Sequence, residues 1–270
     1  MSLVFAAITP HPPIIIPAVG KHETNLAFLT VNAMKKLANI FNEAEVDTLI
    51  IISPHSLIYS DRFNICGMEK LFGTFGQFDA PEVMLEARGN LDLATRIEEA
   101  AEKENLRTLI YDNNSEFFEL DHGTMVPLYY LKNNAESSFR VLNIAYSNLS
   151  RADHFTFGQV LQDAIENSPE RIGIIASGDL SHRLMRGNET EIEAGKNFDN
   201  ALVDDIKNNK LEDIVYYEDS FIEAAGECGY RSILVLLGAL DRKNVVPEVL
   251  SYEGPFGVGY LVANFKLKGE

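Results

Sequence analysis

Short apolar runs rich in β-branched residues alternate with segments of helical period along this chain, and no other feature constrains the fold as strongly. The clearest run, residues 46–53, is almost continuously apolar, which is typical of a strand covered on both faces of a sheet. Residues 25–42, which precede this strand, have apolar side chains every three to four positions, and this period predicts a helix. The alternation predicts an α/β fold in which helices flank a central mixed sheet in a sandwich-like arrangement.

Similar runs and periodic segments continue to the end of the chain. The predicted strands are residues 3–9, 63–68, 107–111, 140–146, 171–177, 247–252 and 257–267. The predicted helices are residues 91–104, 125–132, 154–166 and 191–207, with a fully apolar and therefore buried helix at 232–240. No repeat, low-complexity tract or linker interrupts this order, so we expect a single domain over residues 1–270.

The charge balance excludes some classes of partner. The chain has 23 Lys and Arg against 40 Asp and Glu, a formal net charge of −17. Binding to nucleic acid or to an anionic membrane surface depends on clustered cations, so we expect neither. No apolar run approaches the roughly 20 residues of a membrane helix, and the N-terminus lacks the basic region of a signal peptide. Two cysteines are too few for a disulfide framework, and we expect a cytoplasmic protein.

Four of the six histidines follow predicted strands. They are His11, His55, His122 and His182. Ligands of open α/β sheets bind at the carboxyl ends of the strands, so histidines delivered there from successive strands are expected to converge. The remaining two, His22 and His154, lie among charged residues near predicted helix starts, and we expect both to be solvated.

Two neutral imidazoles suit iron, zinc, copper or nickel, and a carboxylate would complete either an open Fe(II) site or a catalytic zinc site. Most acidic residues belong to solvated surfaces, but Glu227 lies in a loop of small residues before the apolar helix, next to Cys228. An acid in that setting is a candidate to be buried and paired. A zinc hydrolase, in which His182 acts on a metal-bound water, is one hypothesis that these residues allow.

Five motifs occur in a characteristic order. They are Pro10-His11-Pro12-Pro13, Ser53-Pro54-His55, Asp121-His122-Gly123, Ser177-Gly178-Asp179-Leu180-Ser181-His182 and Ala225-Gly226-Glu227. From about residue 5 to 265 the chain resembles the class III extradiol ring-cleavage dioxygenases, of the type of the protocatechuate 4,5-dioxygenase catalytic (beta) subunit. It also resembles their relatives in the Memo family.

The resemblance implies an Fe(II) site formed by His11, His55 and Glu227, with zinc or copper as alternative metals. It implies that His182 is the catalytic acid/base and that His122 lines the pocket for oxygen and substrate. The implied reaction opens a catechol-type or aminophenol-type ring with O2. Relatives form homodimers or need a small companion subunit, so the implied partners are a small aromatic substrate, O2 and such a subunit.

Cys228 leaves a second reading open, because Memo-like relatives carry a cysteine near this position. As the alternative third ligand it would favour copper, or a redox or partner-binding role without ring cleavage. Neighbouring side chains point in different directions, so only one of Glu227 and Cys228 is expected to reach a metal. We expect Glu227, because a carboxylate is the harder ligand for iron.

Three further expectations concern the surroundings of the site. Arg231 or Arg183 could bind the carboxylate of a substrate, although the net charge of −17 favours a neutral ring. Asp179 is expected to cap the turn that follows it or to orient His182.

Overall fold

Eleven strands among the described residues form one mixed sheet. The structure is a computed structural model, and it describes residues 2–112 and 118–268. The strands are β1 (Leu3–Thr9), β2 (Thr48–Ser53), β3 (Phe63–Cys66), β4 (Lys70–Phe75), β5 (Ala80–Arg88), β6 (Thr108–Tyr111), β7 (Phe118–Glu119), β8 (Arg140–Ala145), β9 (Ile172–Ser177), β10 (Val245–Glu253) and β11 (Tyr260–Leu267). The helices are α1 (Pro17–Gly20), α2 (Phe28–Glu43), α3 (Leu91–Lys103), α4 (His122–Asn134), α5 (Arg151–Glu166), α6 (Glu189–Lys207), α7 (Leu211–Val215), α8 (Asp219–Ala225) and α9 (Tyr230–Ala239).

The centre of the sheet is parallel, whereas its margins contain both parallel and antiparallel pairs. Strands β1, β9, β2 and β8 pair in this order, all parallel. On one side β11 pairs antiparallel with β1, and β10 with β11. On the other side lie the β4–β5 hairpin with β7, and a branch in which β3 pairs with β8 and β6. The four central strands therefore end at one edge of the sheet, where their following loops meet.

Both faces of the sheet are covered, which confirms the predicted α/β class. All six residues of β2 are buried. Ile50 and Ile52 face a core that includes α3, α5, α6 and α9, whereas Leu49 and Ile51 face a core that includes α2 and α4. This two-sided burial is the reason that β2 is apolar at consecutive positions rather than at alternate ones.

Two glycines allow α5 and α9 to pack at very short range. A Cβ on Gly158 would lie 2.1 Å from the carbonyl oxygen of Val235, and one on Gly238 would lie 2.0 Å from that of Phe155. A larger side chain at either position would push the helices apart. Because α9 also packs on β9, this contact fixes the start of α9 beside the carboxyl edge of the sheet.

Most predicted elements are present, with shifted ends. Strand β1 has the predicted bounds, whereas α2 begins at Phe28 after a 3₁₀ turn over Glu23–Ala27. The sequence reading missed the β4–β5 hairpin, β7 and the short helices α1, α7 and α8. In β5 five of the nine residues are exposed, so no continuous apolar signal marks it.

Among residues 2–112 and 118–268, no helix has both the length and the apolar character that crossing a bilayer requires.

Candidate metal centre

His11 and His55 meet at the carboxyl edge of the sheet. His11 follows β1 and His55 follows β2, and β9 lies between these two strands. Their Nε2 atoms are 3.1 Å apart. The His11 side chain is buried, whereas His55 is exposed. The predicted convergence of the two imidazoles is thus observed, at a place open to solvent on one side.

Cys228 is the third residue of this group. Its Sγ lies 3.6 Å from Nε2 of His11, and one donor atom from each of the three residues lies within 4.8 Å of the others. Tetrahedral coordination with bonds of about 2.0–2.3 Å would place neighbouring ligand atoms roughly 3.3–3.6 Å apart. The three donors therefore fit a bound metal ion after small adjustments of the side chains.

Glu227 points elsewhere. Its carboxylate accepts a hydrogen bond from the backbone N–H of Tyr230, at the first turn of α9. Burial raises the pKa of this carboxyl to about 7, although hydrogen bonds from Tyr230 and Gly229 and the charge of Arg231 lower it. The side chains of Glu227 and Cys228 point in different directions. Cys228, the alternative third ligand, is therefore the one that lies beside the two imidazoles. The geometry does not support the preference for Glu227.

Ser177, the last residue of β9, orients His11. The Ser177 hydroxyl donates its hydrogen to the carbonyl oxygen of Gly123, and its oxygen lies 3.0 Å from Nδ1 of His11. Because that hydroxyl hydrogen is already used, Nδ1–H of His11 must be the donor. Nε2 then carries the lone pair and faces His55 and Cys228, as ligation requires.

The electrostatics of the centre keep both imidazoles neutral. Burial lowers the pKa of His11 well below its usual value, and the nearby His55, His122 and His182 lower it further. Burial also lowers the pKa of His55, against the opposing charge of Asp121. Burial and Asp179 raise the pKa of the Cys228 thiol well above its usual value. A metal ion would therefore bind two neutral imidazoles and would have to displace the thiol proton.

His122 lies flat against His55. The ring centroids are 4.1 Å apart, with an angle of 28° between the planes. Burial, followed by His55, lowers the pKa of His122 to about 4. The residue begins α4, where the Asp121 side chain accepts from the Thr124 N–H and so caps the helix. Phe78, at the tip of the β4–β5 hairpin, also contacts the His122 ring, with centroids 5.6 Å apart.

His182 is exposed at the mouth of the centre. Burial, then His55 and Arg186, lower its pKa. The preceding residue anchors this loop, because the Ser181 N–H donates to Oδ1 of the buried Asp199 at 2.8 Å. The structure gives Asp179 a role that was not expected, because its Oδ1 accepts from the backbone N–H of His11 at 2.9 Å.

The other two histidines differ from each other. His22 is exposed, as predicted. The expectation that His154 is solvated was wrong, because α5 begins at Arg151 and turns His154 into the core. Its Nδ1 lies 2.7 Å from the Ser150 carbonyl oxygen, and its ring packs edge-on against Phe63.

Sequence reasoning gave no role to Ser177 or Phe78. Ser177 had a usable signal, because it ends the predicted strand 171–177 and begins the motif that contains His182. Phe78 had none, because its hairpin was not predicted.

Comparisons with known proteins identify the family of this chain. Residues 5–263 match the family model described as the catalytic LigB subunit of aromatic ring-opening dioxygenase. Because the match covers nearly the whole chain, the protein belongs to this family, as the motifs suggested.

Three curated relatives were found. Protein CA_C1420 of Clostridium acetobutylicum is 36% identical over 267 residues, which are 96% of this chain and 57% of the relative. A 3,4-dihydroxyphenylacetate 2,3-dioxygenase of Escherichia coli is 27% identical over 60% of this chain and 59% of the relative. A MEMO1 family protein of Methanosarcina mazei is 25% identical over 73% of this chain and 64% of the relative. The chain thus spans about three fifths of the length of the curated relatives it matches.

The fold also matches a solved structure. The crystal structure of protein JW3007 from Escherichia coli K12 superposes with a TM-score of 0.67 at 17% identity, covering 97% of this chain and 99% of that one. At this identity the likeness concerns the fold alone.

Proposed function

We propose that this chain binds a metal ion through His11, His55 and Cys228 and opens a catechol-type or aminophenol-type ring with O2, with Fe(II) as the metal. The observation that carries the proposal is the gathering of these three donor atoms within 4.8 Å, with two further imidazoles around them. Membership in a ring-opening dioxygenase family supports the reaction class.

The donor set suits the proposed metal. Imidazole and thiolate both bind iron, zinc and copper, and three protein ligands leave coordination positions open. A bound ferrous ion would supply adjacent positions for the two ring oxygens and for O2. The exposed side of His55 gives a small aromatic molecule access to those positions.

His182 would move the substrate proton. Its lowered pKa keeps the imidazole neutral near pH 7, so it can accept the proton of a ring hydroxyl and later return it. His122 is also neutral and can donate one ring N–H to a substrate oxygen without adding charge beside the ligands. Phe78 packs against His122 and adds an apolar ring beside this imidazole.

Oxygen uptake by protein loaded with iron under anaerobic conditions tests the proposal. We expect O2 consumption and a ring-opened chromophore with at least one member of a panel of catechols and aminophenols, and neither signal from metal-depleted protein. Full iron occupancy without O2 consumption on any member would contradict ring cleavage.

A second candidate function follows from Cys228 itself. A thiolate in the place of a carboxylate is softer and favours copper or zinc, which suits a Memo-like role in redox chemistry or partner binding. Competition between Fe(II) and Cu(I) for the purified protein addresses it. Strong preference for copper, together with absent ring cleavage, would support this function over the first.

A further inference from the structure

A buried carboxylate of α6 has no cation to pair with. Asp199 lies in the middle of this helix and is fully buried. Its Oδ1 accepts from the Ser181 N–H at 2.8 Å, and its Oδ2 accepts from the Tyr252 hydroxyl at 2.7 Å. In the described part of the chain, no Lys, Arg or His lies within ion-pair distance of it. Burying a carboxylate without a cation is costly, so its two neutral partners call for an explanation.

The carboxylate holds the backbone of Ser181. Ser181 is itself fully buried, and its carbonyl oxygen accepts from the Gly259 N–H at 2.9 Å. Its hydroxyl donates to the carbonyl oxygen of Ala225 at 2.8 Å. All three polar groups of Ser181 are therefore bonded, and Asp199 supplies the one side chain among these partners. The next residue is His182, which is exposed at the mouth of the metal centre.

Close packing leaves Ser181 little room to move. A Cβ on Gly195, one turn before Asp199 in α6, would lie 2.3 Å from the Ser181 hydroxyl oxygen. A Cβ on Gly259 would lie 2.0 Å from Oδ2 of Asp199. Helix α6 thus contacts this loop at two positions one turn apart, at distances that only glycine allows. A shift of Asp199 would therefore also shift the loop that carries His182.

The charge of Asp199 does not reach His182. The pKa of His182 is lowered by burial, then by His55 and Arg186, and Asp199 is not among the groups of the described chain that shift it. Burial raises the pKa of Asp199 itself to about 6, although hydrogen bonds from Ser181 and Tyr252 lower it. An effect of Asp199 on His182 therefore has to pass through the position of the loop.

We propose that Asp199 is a positioning residue for His182, because it holds the loop of residues 178–182 so that the imidazole stands ready for proton transfer. The inference rests on the proposed function, since it takes His182 as the acid/base. A misplacement of about 1 Å caused by a residue far from the reacting atoms can cost roughly 100-fold in rate. The acceptor oxygen of Asp199 is needed for this role, whereas its charge is not.

Two substitutions at position 199 test the inference in iron-loaded protein. Asp199→Ala removes the acceptor and should lower kcat by about 10- to 100-fold, while KM and iron content stay unchanged. Asp199→Asn keeps an acceptor for the Ser181 N–H and should retain most of kcat. Asp205→Ala is the matched control, because it removes a half-buried carboxylate of the same helix that accepts from the Tyr217 hydroxyl. It should keep full kcat.

A double variant separates positioning from general destabilisation. If Asp199 acts through His182, Asp199→Ala should cost nothing further in the His182→Gln background. Thermal melting verifies the folding of each variant. If Asp199→Ala does not fold, Tyr252→Phe replaces it, because it removes one of the two hydrogen bonds to the carboxylate and should lower kcat by a smaller factor. Additive losses, or wild-type kcat in Asp199→Ala or in its replacement, would overturn the inference.

The NMR signals of the His182 ring give a readout that does not need ring cleavage. In zinc-loaded protein, the wild type and Asp199→Asn should show one sharp set, assigned by its absence from His182→Gln, and Asp199→Ala a broadened or doubled set. An unchanged set in Asp199→Ala would contradict positioning. If the set changes as expected but no ring is opened, the inference stands and the proposed reaction fails. If rings are opened and kcat does not respond to Asp199→Ala, the reaction stands and the inference fails.

Discussion

The Sγ of Cys228 lies 3.6 Å from the Nε2 of His11, although 217 positions separate the two residues in the sequence. A contact between two glycine backbones joins the loop of Cys228 to the loop after β9. A Cβ on Gly178 would lie 2.0 Å from the Cα of Gly229, so only glycine fits there. Asp179 then links the loops of His11 and Cys228, because its side chain accepts from the His11 N–H and its own N–H points at Cys228 Sγ. The donor set is therefore fixed by backbone packing.

Replacing the thiol should weaken metal binding. We expect Cys228→Ser to lower the affinity for Zn²⁺ or Fe(II) by 100-fold or more, because a neutral hydroxyl is a far poorer ligand than a thiolate. Glu227→Gln is the matched control, since the amide oxygen can still accept from the Tyr230 N–H and the residue contributes no donor to the group. Competition with a chromophoric chelator measures both. Equal losses in the two variants would restore Glu227 as a ligand.

Asp179 should matter as an acceptor rather than as a charge. Burial raises the pKa of its carboxyl to about 7, and its Oδ1 accepts from the His11 N–H. Asp179→Ala leaves that N–H unpaired and should destabilise the fold by about 1–3 kcal/mol. Asp179→Asn keeps an acceptor oxygen of the same shape and should cost less. Urea denaturation distinguishes the two variants, and equal stabilities would show that the hydrogen bond contributes nothing.

His182 should affect turnover without affecting the metal. We expect His182→Gln to reduce kcat on any accepted substrate by about 10²- to 10⁴-fold, the usual contribution of a general acid or base. Metal stoichiometry should stay unchanged, because His182 is outside the group of donors. His22→Gln makes the same substitution at an exposed histidine and should retain full activity. Loss of metal from the His182 variant would instead assign this residue to the coordination shell.

The sequence predicts the location of the metal centre better than it predicts the identity of the ligands. His11 and His55 could be placed together because apolar strands precede both and parallel strands end at one edge of a sheet. The choice between Glu227 and Cys228 could not be made in this way. Both precede α9, and the rotation of the chain through that turn decides which side chain faces the imidazoles.

Errors in helix starts have a similar cause. The predicted start of α5 was three residues too late. This error placed His154 at the end of the helix, whereas in the structure it lies on the buried face of the helix. Phe78 was missed because the hairpin that carries it is half exposed and shows only a weak alternation of apolar residues.

The buried His154 should make folding stability depend on pH. Burial lowers its pKa to about 4 in the folded protein, against 6.5 in an unfolded chain, so the unfolded state binds more protons between these values. Stability contributed by neutral His154 is therefore complete above pH 6.5 and is lost as the pH falls towards 4. At pH 5 the loss should be about 2 kcal/mol relative to pH 7.5. His154→Gln should be less stable at pH 7.5 but should lose about 2 kcal/mol less than the wild type on acidification, as measured by urea denaturation of metal-free protein. Parallel stability curves for the two proteins between pH 7.5 and 5 would contradict the assignment.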